Sequence, residues 1–194
     1  ATEATARKSL QELKLQIEES RAASVENQHG SDEEAAQSTP ASSRSVVRLF
    51  KSTQIDAGIE TCYAVATDFK RYPQWAGLSG CNVLSEDKEE GEDGNKAVVE
   101  LAMGALGYQL KYVLDYQLYR PELVSWTSRK GDYGGSLSGS YDFEAVAQNQ
   151  TTVKYSIALE LPMEVPGFVL NLVASTIVNN ALNGLKREAE RGLA

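Results

Sequence analysis

The sequence predicts an α+β fold in which a curved, seven-stranded antiparallel sheet surrounds a long C-terminal helix, with a helical extension at the N-terminus. Seven stretches carry the alternation or apolar content of strands, and only short polar breaks separate the last six of them. Short connections make consecutive strands antiparallel neighbours. A long helical pattern follows the last strand and supplies the cover that one face of such a sheet needs.

The elements follow in a simple order. The first strand is predicted over Val46–Ile55, where apolar and polar side chains alternate. A helix is expected from Ile59 to about Phe69 with Asp56 as its cap, and Pro73 is expected to end a second short helix. The other strands are predicted over residues 81–87, 96–103, 108–119, 123–129, 137–146 and 152–161.

The last helix is predicted over residues 167–192, with Pro166 at its start. Apolar residues recur at helical spacing and indicate the face that the sheet covers. This face is predicted to hold Leu170, Val173, Ile177, Ala181, Leu182, Leu185 and Ala189.

The strand over residues 108–119 indicates what lies inside the sheet. Its inward face alternates tyrosine with leucine, and buried tyrosine hydroxyls need hydrogen-bond partners. This pattern favours an apolar cavity with a few polar groups; the alternative is a solid core with tyrosine tips at its rim. The predicted cavity residues are Leu101, Met103, Tyr108, Tyr112, Tyr116, Trp126, Tyr141, Phe143, Tyr155, Ile177 and Ala181.

Composition excludes several function classes. A formal net charge of -8 argues against a nucleic-acid partner, because no excess of basic residues exists to bind phosphates. The single histidine, His29, lies in a polar linker, which removes histidine-based triads and makes a histidine-rich metal site impossible. Cys62 and Cys81 are expected to be free thiols and cannot form a zinc site alone. No metal site is predicted.

The sequence assigns no catalytic residue. Asp68, Asp115 and Asp142 are expected at turns or on outward positions, away from the predicted cavity. A tyrosine or an aspartate could act as a general acid or base, but nothing in the sequence requires one. No apolar run approaches the roughly 20 residues that cross a bilayer, so no membrane span is expected. Peripheral association with a membrane stays open.

The N-terminal part divides into two segments before a domain over residues 45–194. Residues 1–27 predict an amphipathic helix with a narrow apolar stripe of Leu10, Leu13 and Ile17, which is expected to bind a protein partner. Residues 28–44 read as an acidic polar linker. The small residues and threonines at the start, which begins with Ala1, are typical of sequence behind a cleaved transit peptide. They favour an organelle, the chloroplast before the mitochondrion; otherwise the protein is expected in the cytoplasm.

Asp68, Phe69, Tyr72, Pro73 and Trp75 form a segment that resembles the START-like/Bet v 1 superfamily, especially its polyketide cyclase/dehydrase and coenzyme Q-binding branch. The helix end LKREAE matches as well, and the resemblance covers residues from about 46 to 194. It implies a helix-grip fold with a hydrophobic cavity for lipids, quinones, polyketides or similar molecules. It also implies that Trp75 packs the short helices onto the sheet rather than contacting a ligand.

Three functions follow from these patterns. The first is binding or carrying a hydrophobic small molecule, such as a lipid, a quinone or a pigment, without catalysis. The second is an accessory subunit of a larger organellar membrane-associated assembly, for example a photosynthetic complex of the thylakoid, docked through residues 1–44. The third is a polyketide cyclase-like enzyme that uses tyrosines.

Overall fold

The computed structural model describes residues 46–87, 95–105, 108–129, 135–161 and 165–191. The described helices and the 3₁₀ turn are α1 (Ile59–Thr67), the 3₁₀ turn (Phe69–Arg71), α2 (Tyr72–Trp75) and α3 (Gly167–Arg191). The strands are β1 (Val46–Ile55), β2 (Gly80–Asp87), β3 (Asn95–Ala105), β4 (Tyr108–Tyr119), β5 (Leu123–Ser128), β6 (Ser136–Ala147) and β7 (Gln150–Glu160).

The strands form one antiparallel sheet in the order β1-β7-β6-β5-β4-β3-β2. Strands β2 to β7 pair with their chain neighbours, as short connections require, and β1 pairs with β7. The helix α3 packs against β1 and β7, and α1 and α2 pack against α3. The seven-stranded sheet around a long C-terminal helix is confirmed.

Side-chain alternation places the core on the inner face of the sheet. In β7 every second residue from Thr151 to Leu159 is buried, and β4 buries Leu110, Tyr112, Leu114 and Tyr116 in the same way. Two exposed apolar residues, Leu84 and Val146, stand at register shifts in β2 and β6. A bulge leaves one residue without a partner on the next strand, which explains why these two face outward.

Two expected helix boundaries are wrong. The residue before α1 is Gly58, not Asp56, and it makes no side-chain capping bond. The Asp56 carboxylate instead accepts a hydrogen bond from Gln150 Nε2 at 3.3 Å. Pro73 lies in the first turn of α2 rather than at its end. Proline suits that position because the first helical N–H groups need no partner within the helix.

The buried face of α3 follows strict helical spacing from Leu170 through Ala174 and Val178. The expected face had Val173 and Ile177 there, and both are only half-buried against the core. Helical spacing allows either set, because residues three and four positions apart share a face, so the spacing alone could not place the centre of the buried face at Ala174 and Val178. The second half of the predicted face is confirmed, since Ala181, Leu182, Leu185 and Ala189 are buried.

By length and hydropathy, α3 is the one helix among the described residues that could span a bilayer. Its mean hydropathy reaches 1.3, in an 18-residue window of which 39% is buried inside the protein. The apolar side chains of its inner face are core residues of the fold, which accounts for much of this hydropathy.

A buried carboxylate joins the 3₁₀ turn to α3. The Glu188 side chain is 5% exposed and lies 3.0 Å from Arg71 Nη2 and 2.7 Å from Arg191 Nη1. Glutamine has nearly the volume of glutamate but no charge. Glu188→Gln should therefore lower the free energy of unfolding, measured in urea, by about 1–3 kcal/mol. The loss is smaller than for a fully buried ion pair because both arginines are exposed to solvent. Glu144→Gln, which breaks an exposed pair with Lys154, should cost less than about 0.5 kcal/mol. Equal losses would contradict this role of Glu188.

The predictions for the N-terminal segments concern residues outside the described part of the chain. These are the helix of residues 1–27 with Leu10, Leu13 and Ile17, the linker of residues 28–44, and His29 within it.

Candidate ligand-binding cavity

A cavity of about 40 Å³ lies between the inner face of the sheet and α3. Eight of the eleven residues that the sequence predicts for it line its wall. These are Leu101, Met103, Tyr116, Trp126, Tyr141, Tyr155, Ile177 and Ala181. The sheet therefore brings most of the predicted site together, in a space much smaller than a ligand of ordinary size needs.

Two predicted residues are buried beside the cavity without lining it. Tyr112 is 1% exposed, and its hydroxyl donates to the Glu160 carbonyl oxygen at 3.5 Å. Phe143 is packed edge-on against Tyr63 of α1, with ring centroids 6.1 Å apart. The side chain of the third residue, Tyr108, lies outside the described part of the chain.

Five residues of the cavity wall are not in the predicted set. Leu137 and Ile157 share the inward alternation of Tyr141 and Tyr155, and this alternation places both on the inner face of the sheet. The other three come from α2 and the segment after it, where no period marks the inward side chains. They are Tyr72, Ala76 and Leu78.

Aromatic packing makes the cavity small. Trp126 has ring centroids 5.7 Å from Tyr116, 5.5 Å from Tyr141 and 5.6 Å from Tyr155. Gly139 stands opposite Trp126 in the sheet, and a Cβ there would lie 2.7 Å from Trp126 Cζ2. The indole therefore occupies the place of a missing side chain, and the interlocked rings fill most of the space under α3.

Three tyrosine hydroxyls in this wall have no hydrogen-bond partner among the described residues. Tyr116, Tyr141 and Tyr155 are buried, and no hydrogen bond joins their hydroxyls to any group among the described residues. Tyr72 differs, because its hydroxyl donates to the Ala66 carbonyl oxygen. A buried hydroxyl without a partner is costly, so water or a ligand must serve these three. A space of 40 Å³ holds about two or three water molecules.

Burial keeps these phenols protonated. It raises the pKa of Tyr116 and Tyr141 well above 10.0, and the neighbouring tyrosines raise both further. Burial alone raises the pKa of Tyr155. At neutral pH the three hydroxyls are therefore hydrogen-bond donors and weak acceptors rather than bases.

The two thiols are also neutral and free. Cys62 is buried and Cys81 half-buried, and neither forms a disulfide, as the sequence predicts. Burial raises the pKa of Cys81 to about 11 and raises that of Cys62 as well. Within the described ranges no cluster of three metal-binding side chains occurs.

A second, open groove of about 390 Å³ lies on the outer side of α1, next to α3. Its wall includes Arg71 and Glu188, which pair with each other, and Trp75. Trp75 is 4% exposed and its ring packs edge-on against Tyr72, with centroids 4.8 Å apart. Its backbone packs directly on Gly184 of α3, so Trp75 holds the short helices in place.

Comparison with known proteins gives a consistent result. Residues 47–190 match the family described as polyketide cyclase/dehydrase and lipid transport. A search of curated protein sequences finds no significant match.

Solved structures share the fold at low sequence identity. A START superfamily protein from Mycobacterium smegmatis is 19% identical, with a TM-score of 0.63 over 74% of this chain and 97% of that one. The Zhui aromatase/cyclase from Streptomyces sp. R1128 is 13% identical, with a TM-score of 0.64 over 77% and 97%. Human STARD10 is 12% identical, with a TM-score of 0.62 over 77% and 65%. At these identities the likeness shows the helix-grip fold.

Proposed function

The chain belongs to the polyketide cyclase/dehydrase and lipid transport family, and from that premise we propose that it binds a hydrophobic small molecule between the sheet and α3 without transforming it. The family fold is one that binds hydrophobic small molecules. We propose both the role of this chain as a carrier and the chemical class of its ligand.

The observation that supports this proposal is the set of three buried hydroxyls around Trp126 that bond to no described residue. Apolar walls with a few converging polar groups are the usual composition of a small-molecule site. Protonated phenols donate hydrogen bonds, so the matching ligand carries acceptor oxygens, and the indole face of Trp126 suits a flat ring. Among a lipid, a quinone and a pigment, a quinone with two ring carbonyls fits this wall best.

The wall supports binding rather than acid–base chemistry. A general base works best with a pKa near the operating pH, and burial moves the pKa of these tyrosines away from neutrality. No carboxylate, lysine or histidine is among the described residues that line the cavity. In a polyketide cyclase-like reaction these tyrosine hydroxyls could only donate hydrogen bonds or protons and could not act as the base.

Ligand entry requires the cavity to enlarge, because small-molecule sites usually measure about 300–1,000 Å³. Most of the wall belongs to hydrogen-bonded strands. Leu78 and Ile177 instead lie on the segment after α2 and on α3, and both are only half-buried. We therefore place the entrance between these two side chains.

The direct test combines mass and fluorescence. Native mass spectrometry of the freshly purified full chain should show a bound apolar molecule. Titration with a decyl-substituted benzoquinone should quench Trp126, one of the two tryptophans, in a saturable way. Trp75→Phe should keep this quenching and Trp126→Phe should lose it, because Trp75 packs on α3 outside the cavity. Absence of both bound mass and saturable quenching would overturn the proposal, and quenching by a fatty acid alone would make the ligand a lipid.

Two tyrosine-to-phenylalanine variants should separate ligand binding from stability. Tyr141→Phe should weaken quinone binding about 5-fold, the equivalent of one hydrogen bond, and change the free energy of unfolding by less than about 0.5 kcal/mol. Tyr72→Phe should cost about 1–2 kcal/mol of stability, because it leaves the buried Ala66 carbonyl without its partner. Urea denaturation and the fluorescence titration measure the two quantities. A Tyr141→Phe variant that binds the quinone unchanged would exclude this hydroxyl as a ligand contact.

The role as an accessory subunit docked through residues 1–44, and the chloroplast location, stay predictions from the sequence. Both depend on a segment outside the described residues.

A further inference from the structure

The segment that joins α2 to β2 packs against α3 at two places where a side chain is missing. At Gly184 the helix carries no side chain, and the backbone of Trp75 fills the space. At Gly77 the segment carries none, and the side chain of Asn180 fills the space, so that a Cβ on Gly77 would lie 3.1 Å from Asn180 Cβ. Gly77 has a φ of 75°, a conformation that favours glycine. The two contacts differ in rigidity, because the exposed Asn180 side chain can rotate away and the Trp75 backbone cannot.

The residues beside the second contact line the cavity. Leu78 follows Gly77 in the chain, and Ile177 and Ala181 lie within one helical turn of Asn180 on α3. Leu78 and Ile177 are half-buried and flank the place where we locate the entrance. Movement of Gly77 and Leu78 away from the helix would therefore open the cavity on this side.

Hydrogen bonds fix both ends of this segment but not its middle. The Ala76 N–H donates to a carbonyl oxygen of α2 at 2.8 Å, and the Ser79 N–H donates to a carbonyl oxygen of β3 at 2.9 Å. Between them, the N–H groups of Gly77 and Leu78 donate to no backbone group among the described residues. Backbone without such bonds opens at a lower cost in free energy than the paired strands that form most of the cavity wall.

We propose that Gly77 and Leu78 form the gate of the cavity and that Asn180 is a positioning residue that keeps this gate closed. The proposal rests on the ligand-binding function proposed above. Rotation of the Asn180 side chain toward solvent removes its contact with Gly77, and Leu78 then moves off the cavity wall while Trp75 stays fixed on α3. Asn180 does not line the cavity, so it controls the rates of ligand entry and release rather than the affinity.

A disulfide across the contact tests the gate without any ligand. With Gly77→Cys and Asn180→Cys in one chain, a shift of less than about 1 Å takes the two Cβ atoms from 3.1 Å to the separation of about 3.5–4.5 Å that a disulfide needs. Succinimide, a small neutral quencher, should quench Trp126 at least about 3-fold less in the oxidised chain than after reduction with a phosphine.

The same cysteine pair in a Trp126→Phe chain is the control for this measurement. Oxidation there should leave the quenching of Trp75 unchanged, since Trp75 lies outside the cavity. Equal quenching of Trp126 in the oxidised and reduced chains would overturn the proposal. A pair that forms no disulfide under mild oxidation would also overturn it, because the contact between Gly77 and Asn180 would not exist as described.

The rates of quinone exchange give a second test. Asn180→Ala should raise the association and dissociation rate constants of the decyl-substituted benzoquinone about 5-fold each and leave Kd within about 2-fold, because Asn180 contacts the gate and not the ligand. Asn179→Ala is the matched control. Asn179 bonds to Lys51 of β1, away from the gate, so its removal should leave both rate constants unchanged.

Unchanged rate constants in Asn180→Ala, or equal changes in the two asparagine variants, would overturn the gate. A parent chain that binds no quinone would instead overturn the proposed function. In that case the comparison with succinimide still decides whether Gly77 and Leu78 open, because it needs no ligand.

Discussion

Replacing Gly184 by alanine should lower the free energy of unfolding by at least about 2 kcal/mol. A Cβ at this position of α3 would overlap the Trp75 carbonyl oxygen and lie 2.9 Å from Trp75 Cε3. Backbone cannot rotate away as a flexible side chain can, so α2 and α3 must separate, which is costly in a close-packed interior. Alanine's higher helix propensity, about 1 kcal/mol, offsets only part of this loss.

Gly167, at the first residue of the same helix, is the matched control. A Cβ there meets no atom within 4 Å, so Gly167→Ala should leave stability unchanged or raise it by up to about 1 kcal/mol. Thermal unfolding should therefore show a Tm about 4–8 °C lower for Gly184→Ala and no decrease for Gly167→Ala. Equal melting temperatures would mean that the contact between Trp75 and α3 is not as close as described.

The strands could be predicted from sequence because alternation is a local signal. In β4 and β7 the inward positions follow the period of two without interruption, so the buried tyrosines were identified correctly. Helix ends were predicted less well. Asp56 and Pro73 are residue types that often cap and end helices. In the structure the Asp56 carboxylate bonds to Gln150 instead, and Pro73 lies in the first turn of the helix that begins at Tyr72.

The content of the cavity could not be read from the sequence in the same way. Alternation shows that Tyr116, Tyr141 and Trp126 point inward, but not how far their rings fill the space. That depends on register: Tyr116 pairs with Trp126, and Tyr141 pairs with Tyr155, so the largest rings stand side by side. Leu78 and Ala76 reach the cavity from an irregular segment, which has no period to reveal them.

The same cluster determines how the protein responds to alkali. Within the described part of the chain, burial raises the pKa of six tyrosines above 10.0: Tyr63, Tyr72, Tyr112, Tyr116, Tyr141 and Tyr155. For Tyr63 and Tyr112 burial raises the pKa to about 12. Because the folded chain holds these protons more tightly than the unfolded chain, their contribution to stability is complete below pH 10 and is lost as the pH rises from there.

The protein should therefore unfold cooperatively between about pH 11 and pH 13. Each phenol that ionises only after unfolding contributes about 1.4 kcal/mol per pH unit, so Tyr72, Tyr116, Tyr141 and Tyr155 together contribute about 5 kcal/mol per unit. A domain with an ordinary free energy of unfolding, about 5–15 kcal/mol, loses all of it when the pH rises one to three units above 10. Phenolate absorbance and circular dichroism should change together in one transition, and Tyr141→Phe should move the midpoint upward. Gradual ionisation near pH 10 with unchanged circular dichroism would place these hydroxyls in water and remove the closed aromatic wall on which the proposed quinone site depends.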